Sequence, residues 1–384
     1  MLPKMRKLKI TRETVCYQLP VIVCLVLMAV LFFLPTGFED AVIYKGTERC
    51  AAEVLSTDDS KIISTGLIKS GEQRCTVKFL GGEFKGVEAD GFNMLNGSLE
   101  ADKIFRPGDK ALVVISHKGE EILSVNLIDH YRLNKELILA GCFVVLLILF
   151  AGRTGIRAVL SFGLTIMMIW KLLVPMYLKG MQPVLVGLVI VLTLTFVIIT
   201  LVYGFDRKAF SAVCGSFLGI ITTCIMGLIF TDAFKIHGAI MPNSESLLYS
   251  GYENLNLTQI FMASIFIGSS GAVMDLAVDI TSAVNEVIQK KPDIGWKEAM
   301  QSGMAVGRAA MGTMTTTLLL AYSGGCVALL MVFMAQGTPI DNILNYKYVS
   351  SEILDTIVGS FGLVTVAPFT ALTSGFFLTR KKKA

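Results

Sequence analysis

The sequence predicts a polytopic α-helical membrane protein of about eight spans that carries a small extracytoplasmic all-β domain. Hydrophobic residues make up 53% of the chain and charged residues only 17%, and the mean hydropathy is +0.66. Long apolar runs fill the chain from residue 136 onward, whereas residues 37–135 are polar and alternate with period two. This composition excludes a soluble protein and is typical of one that crosses the bilayer several times.

The first segment, residues 1–36, is predicted to be a cytoplasmic N-terminus followed by one span. An apolar run from Tyr17 to Leu34 is long and lacks a clear small-residue cleavage site, so it predicts an uncleaved span rather than a signal peptide. Positive residues favour the cytoplasmic side of a span. Those that precede this run are Lys4, Arg6, Lys7, Lys9 and Arg12.

Residues 37–135 predict a small all-β domain, with a barrel as the expected form. Short alternating runs such as 74–80 and 110–115 are separated by turn sequences such as Gly81-Gly82. Cys50 and Cys75 both lie in this segment. They could form a disulfide in an oxidising exterior, but sequence spacing does not show whether the two side chains face each other.

Seven further spans are predicted in the membrane domain, residues 136–384. The run 304–336 is longer than one span needs, and Ser323-Gly324-Gly325 in its middle predicts a kink or break. With the first span, the chain is expected to cross the bilayer about eight times. The seven predicted spans are 136–152, 158–178, 183–204, 209–231, 258–284, 304–336 and 354–378.

Basic residues set the predicted orientation of these spans. Counted from a cytoplasmic N-terminus, every later cytoplasmic loop or end is basic, as the positive-inside rule requires. The sequence therefore predicts a cell-membrane protein with both termini in the cytoplasm and residues 37–135 outside. The basic positions are Arg153 with Arg157, Arg207 with Lys208, Lys290 with Lys291 and Lys297, and residues 380–383.

Several classes of function find no support in the sequence. The basic residues lie between apolar runs rather than in a patch, which argues against nucleic-acid binding. The eight cysteines form no CxxC pair and no cluster at metal spacing, and His117, His130 and His237 are dispersed. Phosphate-binding and hydrolase motifs are also missing. We expect no enzymatic activity, no cofactor and no metal.

The stretch from Gly268 to Glu286, GSSGAVMDLAVDITSAVNE, is the main candidate for function. If it is helical, Asp275, Asp279 and Glu286 fall on one stripe with Gly268 and Gly271. A carboxylate near the bilayer centre costs about 2.5–3.5 kcal/mol on insertion scales. Two acids one turn apart cannot easily both ionise in a low dielectric, so the pair should hold a proton or attract a cation.

Two interpretations of these acids remain open. In the first, Asp275 and Asp279 couple the flow of protons or sodium ions to work, as intramembrane acids often do. In the second, they pair with a basic residue to lock the bundle, and the candidates are Lys171 and Arg308. Coupling is the favoured interpretation.

The seventh predicted span could meet the acidic stripe. Arg308, Gly312, Thr315 and Tyr322 fall on one helix face, where Gly312 would permit close approach. The hydroxyls of Thr315 and Thr316 would then relay protons or coordinate ions. Alternatively, these hydroxyls bond the carbonyls of their own helix, as is common in membrane helices. The last span, which begins near Glu352, is interpreted chiefly as a packing element.

The order of these parts resembles the YibE/F-like multitransmembrane family over most of the chain. The resemblance begins with a first span and an exterior β domain that closes with Asp129-His130-Tyr131-Arg132. The later stretches that carry it are GRTGIRA at 152–158, GAVMDLAVDITSAVNE at 271–286, GRAAMGTMTTTLLLAY at 307–322 and GSFGLVTVAPFTAL at 359–372. This resemblance implies an architecture and little about mechanism.

A second, more distant resemblance bears on mechanism. The region from Gly271 to Thr317 looks like the corresponding part of the RND exporters and of the SecD and SecF translocation proteins. In those families an intramembrane aspartate couples proton or sodium flow to work outside. The chain differs from those families in two respects. More spans separate its exterior domain from the acidic helix, and that domain looks all-β rather than mixed α/β.

The sequence therefore predicts a proton- or sodium-coupled transporter or exporter whose substrate is unknown. Asp275 and Asp279 are expected to carry the ion, and Glu286, Arg308, Thr315 and Thr316 to support them. The expected partners are the lipid bilayer and a second chain, as a homodimer or a heterodimer with a paralogous chain. The alternative function is a non-transporting assembly or sensory protein whose β domain binds a partner.

Overall fold

The computed structural model describes residues 12–39 and 46–380, and in the first helix the side chains from Tyr17 onward. The basic residues predicted before Arg12, the side chain of Arg12 and the lysines at 381–383 lie outside this description. By internal contacts the chain divides into two compact units: Glu39–Phe150, and the residues on both sides of it.

Most of the described chain is helical, as the sequence predicts. A π-helical turn (Ile169–Leu173) follows the second helix, and a 3-10 turn (Gly238–Ile240) precedes the sixth. The helices are α1 (Arg12–Phe33), α2 (Leu133–Met168), α3 (Val174–Leu178), α4 (Pro183–Tyr203), α5 (Arg207–Ala233), α6 (Ser244–Tyr249), α7 (Leu257–Lys290), α8 (Trp296–Ala335), α9 (Ile340–Asn345) and α10 (Lys347–Thr379).

Among the described residues, six helical stretches are long and apolar enough to cross a bilayer, and Tyr17–Phe33 in α1 is a shorter apolar one. One of the six, Leu133–Leu178, is 46 residues long and contains two of the predicted spans. It is broken at Gly152, whose backbone has φ 55 and ψ −124, a conformation that glycine adopts without a Cβ clash. The others are α4, α5, α7, α8 and α10.

The predicted loop around Arg157 is instead part of α2, and Arg157 is buried there. Its guanidinium donates hydrogen bonds to the carbonyls of Tyr17 and Leu201, each at 2.9 Å. It also lies 3.6 Å from the centre of the Tyr17 ring. These contacts offset the cost of burying the charged guanidinium. Arg157 therefore joins α1, α2 and α4 rather than marking a solvated loop.

Helix α10 packs most closely against α5, where glycines let the two backbones approach. A Cβ added at Gly362 would overlap Thr223 Oγ1 and lie 3.3 Å from the Gly219 carbonyl oxygen. On the same contact, a Cβ at Gly215 would overlap Thr370 Oγ1. The α5–α10 contact therefore depends on the absence of side chains at these glycines.

The predicted β domain is confirmed as a closed five-stranded barrel. The strands are β1 (Thr47–Thr65), β2 (Ile68–Phe79), β3 (Glu88–Asn96), β4 (Lys110–Lys118) and β5 (Glu121–His130). Their order around the barrel is β1-β2-β3-β5-β4, and β4 pairs with β1 to close it. This is the arrangement of the Greek-key barrel called the OB-fold. Alternate residues such as Cys50, Ala52 and Val54 point inward and form the core.

Two polar side chains, Gln73 and Asn93, are fully buried inside the barrel. The Gln73 amide donates to Asp59 Oδ1 at 2.8 Å and to the Phe105 carbonyl at 2.9 Å. Its oxygen accepts from the Phe105 N–H at 3.0 Å and from Asn93 at 3.2 Å. Asn93 also donates to the Lys103 carbonyl at 2.6 Å. The pair ties the segment between β3 and β4 to the barrel interior.

Cys50 and Cys75 are both free thiols in the barrel core. Cys75 lies opposite Thr57 on β1, about seven residues from Cys50 and so roughly 23 Å along the strand. A disulfide needs Cα atoms within about 7 Å of each other. The geometry of the barrel therefore keeps these two cysteines apart.

Burial raises the pKa of both thiols to about 11. Because the thiolate is the reactive form, we expect N-ethylmaleimide to leave Cys50 and Cys75 unmodified in the native protein near neutral pH. After unfolding without reductant, both should be modified. Peptide mass spectrometry of the two samples measures this. Resistance of Cys50 and Cys75 to modification in the unfolded sample would reveal a disulfide.

Candidate functional site

The acidic stripe of α7 lies on the outer surface of the described helical unit. Asp275 and Asp279, near the middle of α7, are exposed, and so are Gly271, Ser282 and Glu286 on the same side. The opposite side of α7 is buried in the core through Val273, Leu276, Ala277, Ile280 and Val284. The helical periodicity predicted from the sequence thus separates an acidic face from an apolar one.

The two aspartates have no cationic partner among the described residues. None of the ion pairs there involves Asp275 or Asp279. Lys171 is used elsewhere, because its Nζ lies 3.4 Å from the Leu34 carbonyl. Arg308 is exposed and takes part in no ion pair of the described chain. The salt bridge expected for a purely structural pair is therefore not formed in this part of the chain.

Hydroxyl groups and a local ion pair occupy the half of the acidic stripe that is predicted to lie toward the cytoplasm. The Tyr203 hydroxyl, from α4, donates to the Val278 carbonyl at 2.7 Å and lies 2.6 Å from Ser282 Oγ. Glu286 pairs with Lys290 one turn later, at 2.9 Å, and both side chains are exposed. Glu286 is thus already neutralised locally, in contrast to the two aspartates.

Helices α7 and α8 meet through Gly303 and Gly307, not through Gly312 as the sequence suggested. A Cβ at Gly303 would lie 2.7 Å from Val284, and one at Gly307 would lie 3.1 Å from Ile280. Gly312 faces open space. Of the expected face of α8, Tyr322 does reach the stripe, since a Cβ at Gly268 would lie 2.6 Å from the Tyr322 hydroxyl. Arg308 and Thr316 remain on the exposed side.

The threonine hydroxyls of α8 bond their own helix. Thr315 donates to the Met311 carbonyl at 2.8 Å, and Thr316 donates to the Gly312 carbonyl at 3.2 Å. This is the second of the two alternatives that the sequence left open. Each hydroxyl donates its hydrogen within the helix but keeps lone pairs that can accept a hydrogen bond or bind a cation.

A second acid pair, on α10, lines a cavity. Glu352 and Asp355 lie one turn apart and are half-buried. The cavity has a volume of about 790 Å³ and is also lined by Ser264 of α7 and Cys326 of α8. One oxygen of Asp355, Oδ1, is buried without a hydrogen-bond partner. The signal for this pair was present in the sequence, because it is again two acids one turn apart in an apolar span.

Comparison with known protein families identifies the chain. Residues 139–380 match the family model described as YibE/F-like protein, which is more than half of the chain. The chain belongs to the YibE/F-like family. No curated protein and no solved structure matches it. In this YibE/F-like protein the matched region contains both acid pairs and leaves out the β-barrel, so the family relationship concerns the helical, multi-pass membrane part.

Proposed function

We propose that this YibE/F-like protein is a transporter or exporter coupled to protons or sodium ions, in which Asp275 and Asp279 carry the coupling ion. The observation that carries the proposal is the pair itself. Two acids lie one turn apart near the middle of an apolar helix, exposed and without a cationic partner among the described residues. Transport is supported by this site and by the multi-pass membrane architecture.

The energetics favour coupling over a structural role. Acids in membrane helices are costly, and those that persist face water, protein or an ion. A structural pair would be dry and bonded to a basic side chain, and the described residues offer Asp275 and Asp279 no such partner. A proton or a sodium ion is then the simplest species that neutralises them. The resemblance that the sequence suggests between residues 271–317 and the RND exporters, SecD and SecF implies the same function.

The supporting residues take separate roles in the proposal. Thr315 and Thr316 offer hydroxyl lone pairs on α8, and Arg308 supplies a positive charge on the exposed face of that helix. Glu286 with Lys290 marks the cytoplasmic end of the path. On the predicted topology Glu352 and Asp355 lie toward the exterior, so that the two acid pairs occupy different depths.

The proposal also extends to the remaining parts of the assembly. The protein would lie in the cell membrane with both termini in the cytoplasm and the barrel outside, where the barrel contacts the substrate or a partner. The exposed acidic face of α7 would be covered by a second copy or by a paralogous chain, since lipid is a poor neighbour for carboxylates.

Ion exchange in vesicles tests the proposal without knowledge of the substrate. The full-length protein is reconstituted, and proton movement is followed with an internal pH-sensitive dye while sodium movement is followed with a radioactive tracer. We expect exchange above that of empty vesicles. Asp275→Asn and Asp279→Asn should each reduce it by at least about 10-fold, because the amide cannot take up a proton or hold the charge that attracts sodium.

Asp341→Asn is the matched control, because Asp341 is an exposed acid on α9 away from the stripe. It should exchange ions like the unmodified protein. Size-exclusion profiles in detergent establish that each variant is folded. If folded variants exchange ions as fast as the unmodified protein, or if the unmodified protein exchanges none, the coupling proposal is wrong and the non-transporting alternative gains support.

A further inference from the structure

Three side chains of types that can ligate metal ions converge at one end of the β-barrel. They are Glu48 on β1, Glu83 in the turn after β2, and His117 near the end of β4, and one ligand atom from each lies within 4.8 Å of the other two. The barrel brings them together because β1 pairs with both β2 and β4. Glu48 lies opposite Ile115, and His117 follows Ile115 by two residues on the same face.

The turn after β2 is shaped around the Glu48 carboxylate. Glu48 Oε1 accepts the backbone N–H of Glu83 at 2.7 Å. Gly82 has φ +78, and a Cβ there would overlap Glu48 Oε1, so the turn needs glycine at this point. The other oxygen, Glu48 Oε2, is buried and has no hydrogen-bond partner. A buried carboxylate oxygen without a partner is costly.

The ring of His117 is oriented as it is in many metal sites. Its Nδ1 lies 2.9 Å from the Gly119 carbonyl, which can only accept, so Nδ1 carries the hydrogen. Nε2 then keeps its lone pair, and a backbone carbonyl on the opposite nitrogen is a common second partner of metal-binding histidines. The ring also packs edge-on against Phe84, with centroids 5.1 Å apart.

The cluster has a surplus of negative charge. Neither Glu48 nor Glu83 takes part in any ion pair of the described residues. Two carboxylates so close together repel each other unless a cation or a proton lies between them.

We propose that Glu48, Glu83 and His117 form a binding site for a divalent transition-metal ion such as Zn²⁺. Two carboxylate oxygens and one imidazole nitrogen are ligands that such ions accept, with a fourth position open to water or to a ligand. Ligands held about 2.1 Å from one ion lie at most about 4.2 Å apart, so small side-chain movements close the site. The metal also satisfies the buried oxygen of Glu48.

This site is separate from the acidic stripe of α7 and does not depend on transport. It belongs to the barrel, which lies outside the region matched to the YibE/F-like family. An open coordination position would let the barrel bind an oxygen or nitrogen group of another molecule through the metal.

Zinc titration of the full-length protein tests the site. The protein is purified in detergent without a polyhistidine tag, stripped with a chelator and titrated with Zn²⁺ by calorimetry. We expect one saturable site per chain. His117→Asn and Glu83→Gln should each weaken the affinity by at least about 10-fold, since even loss of an outer partner of a metal ligand costs 10–100-fold.

His237→Asn and Glu88→Gln are the matched controls, because both residues lie outside the cluster. They should bind Zn²⁺ like the unmodified protein. If His117→Asn does not fold, Glu83→Gln decides alone, since Glu83 is exposed in a turn. Absence of saturable binding, or equal affinity in the unmodified protein and Glu83→Gln, would overturn the proposal.

Discussion

Gly362→Leu is expected to prevent α10 from packing against α5. An added Cβ would overlap Thr223 Oγ1 and approach the backbone of Gly219, and leucine adds three more carbons beyond it. Overpacking of a close contact typically costs about 1–3 kcal/mol, occasionally more. Here we expect at least about 3 kcal/mol, because part of the obstacle is backbone, which cannot rotate away. Helix α10 also contacts α7 and α8. Displacing α10 should therefore also disturb the position of α7, which carries the acidic stripe.

Thermal unfolding of the purified protein, together with its size-exclusion profile in mild detergent, measures this effect. The unmodified protein should elute as one symmetric species, whereas Gly362→Leu should aggregate or unfold at a much lower temperature. Gly324→Leu is the matched control, because a Cβ at Gly324 meets nothing within 4 Å. Equal unfolding temperatures for the two variants would show that the α5–α10 contact is not tight.

Gln73→Leu is expected to loosen the barrel by about 3 kcal/mol. Leucine nearly preserves the volume but leaves the N–H and the carbonyl of Phe105 without their partner and removes one hydrogen bond from Asn93. Each buried polar group left unsatisfied costs about 1–3 kcal/mol. The loss of stability should be largest in β2 and β3, which carry Gln73 and Asn93.

Hydrogen–deuterium exchange of the full-length protein locates this effect. A loss of about 3 kcal/mol corresponds to roughly 100-fold faster exchange in peptides from β2 and β3. The helical unit should exchange at an unchanged rate. Glu72→Gln, one position away, should change little, because Glu72 forms a surface ion pair with Arg74. Unchanged exchange in Gln73→Leu would show that the buried amide is not needed for the barrel.

Much of the fold could be predicted from the sequence, because hydropathy and periodicity are local properties. The apolar runs predicted the long helices, and the period-two alternation of apolar and polar residues predicted the strands. The break predicted between the second and third spans is found at Gly152, but the residues around Arg157 are helical rather than a loop, for an equally physical reason. A basic residue between two apolar runs is typical of a loop, but here the Arg157 guanidinium donates hydrogen bonds to two backbone carbonyls of other helices. Such long-range partners leave no trace in local composition.

The candidate sites show the same division between local and long-range information. The common face of Asp275 and Asp279 follows from the helix repeat alone. Which face of α8 meets α7 depends on packing, and the sequence favoured Gly312 where the structure uses Gly303 and Gly307. The cluster at the barrel end was missed because Glu48 and His117 are far apart in sequence, and only strand register brings them together.

The position of the barrel within the chain has a consequence for assembly. Helix α1 contacts α2 through Arg157 and Tyr17, which are 140 residues apart, and through Cys24 and Leu160, which are 136 apart. These contacts cannot form until the ribosome has completed the whole barrel. Contacts so distant along the chain form slowly, since the intervening segment must first be ordered. Helix α1 is therefore synthesised long before the residues of α2 against which it packs.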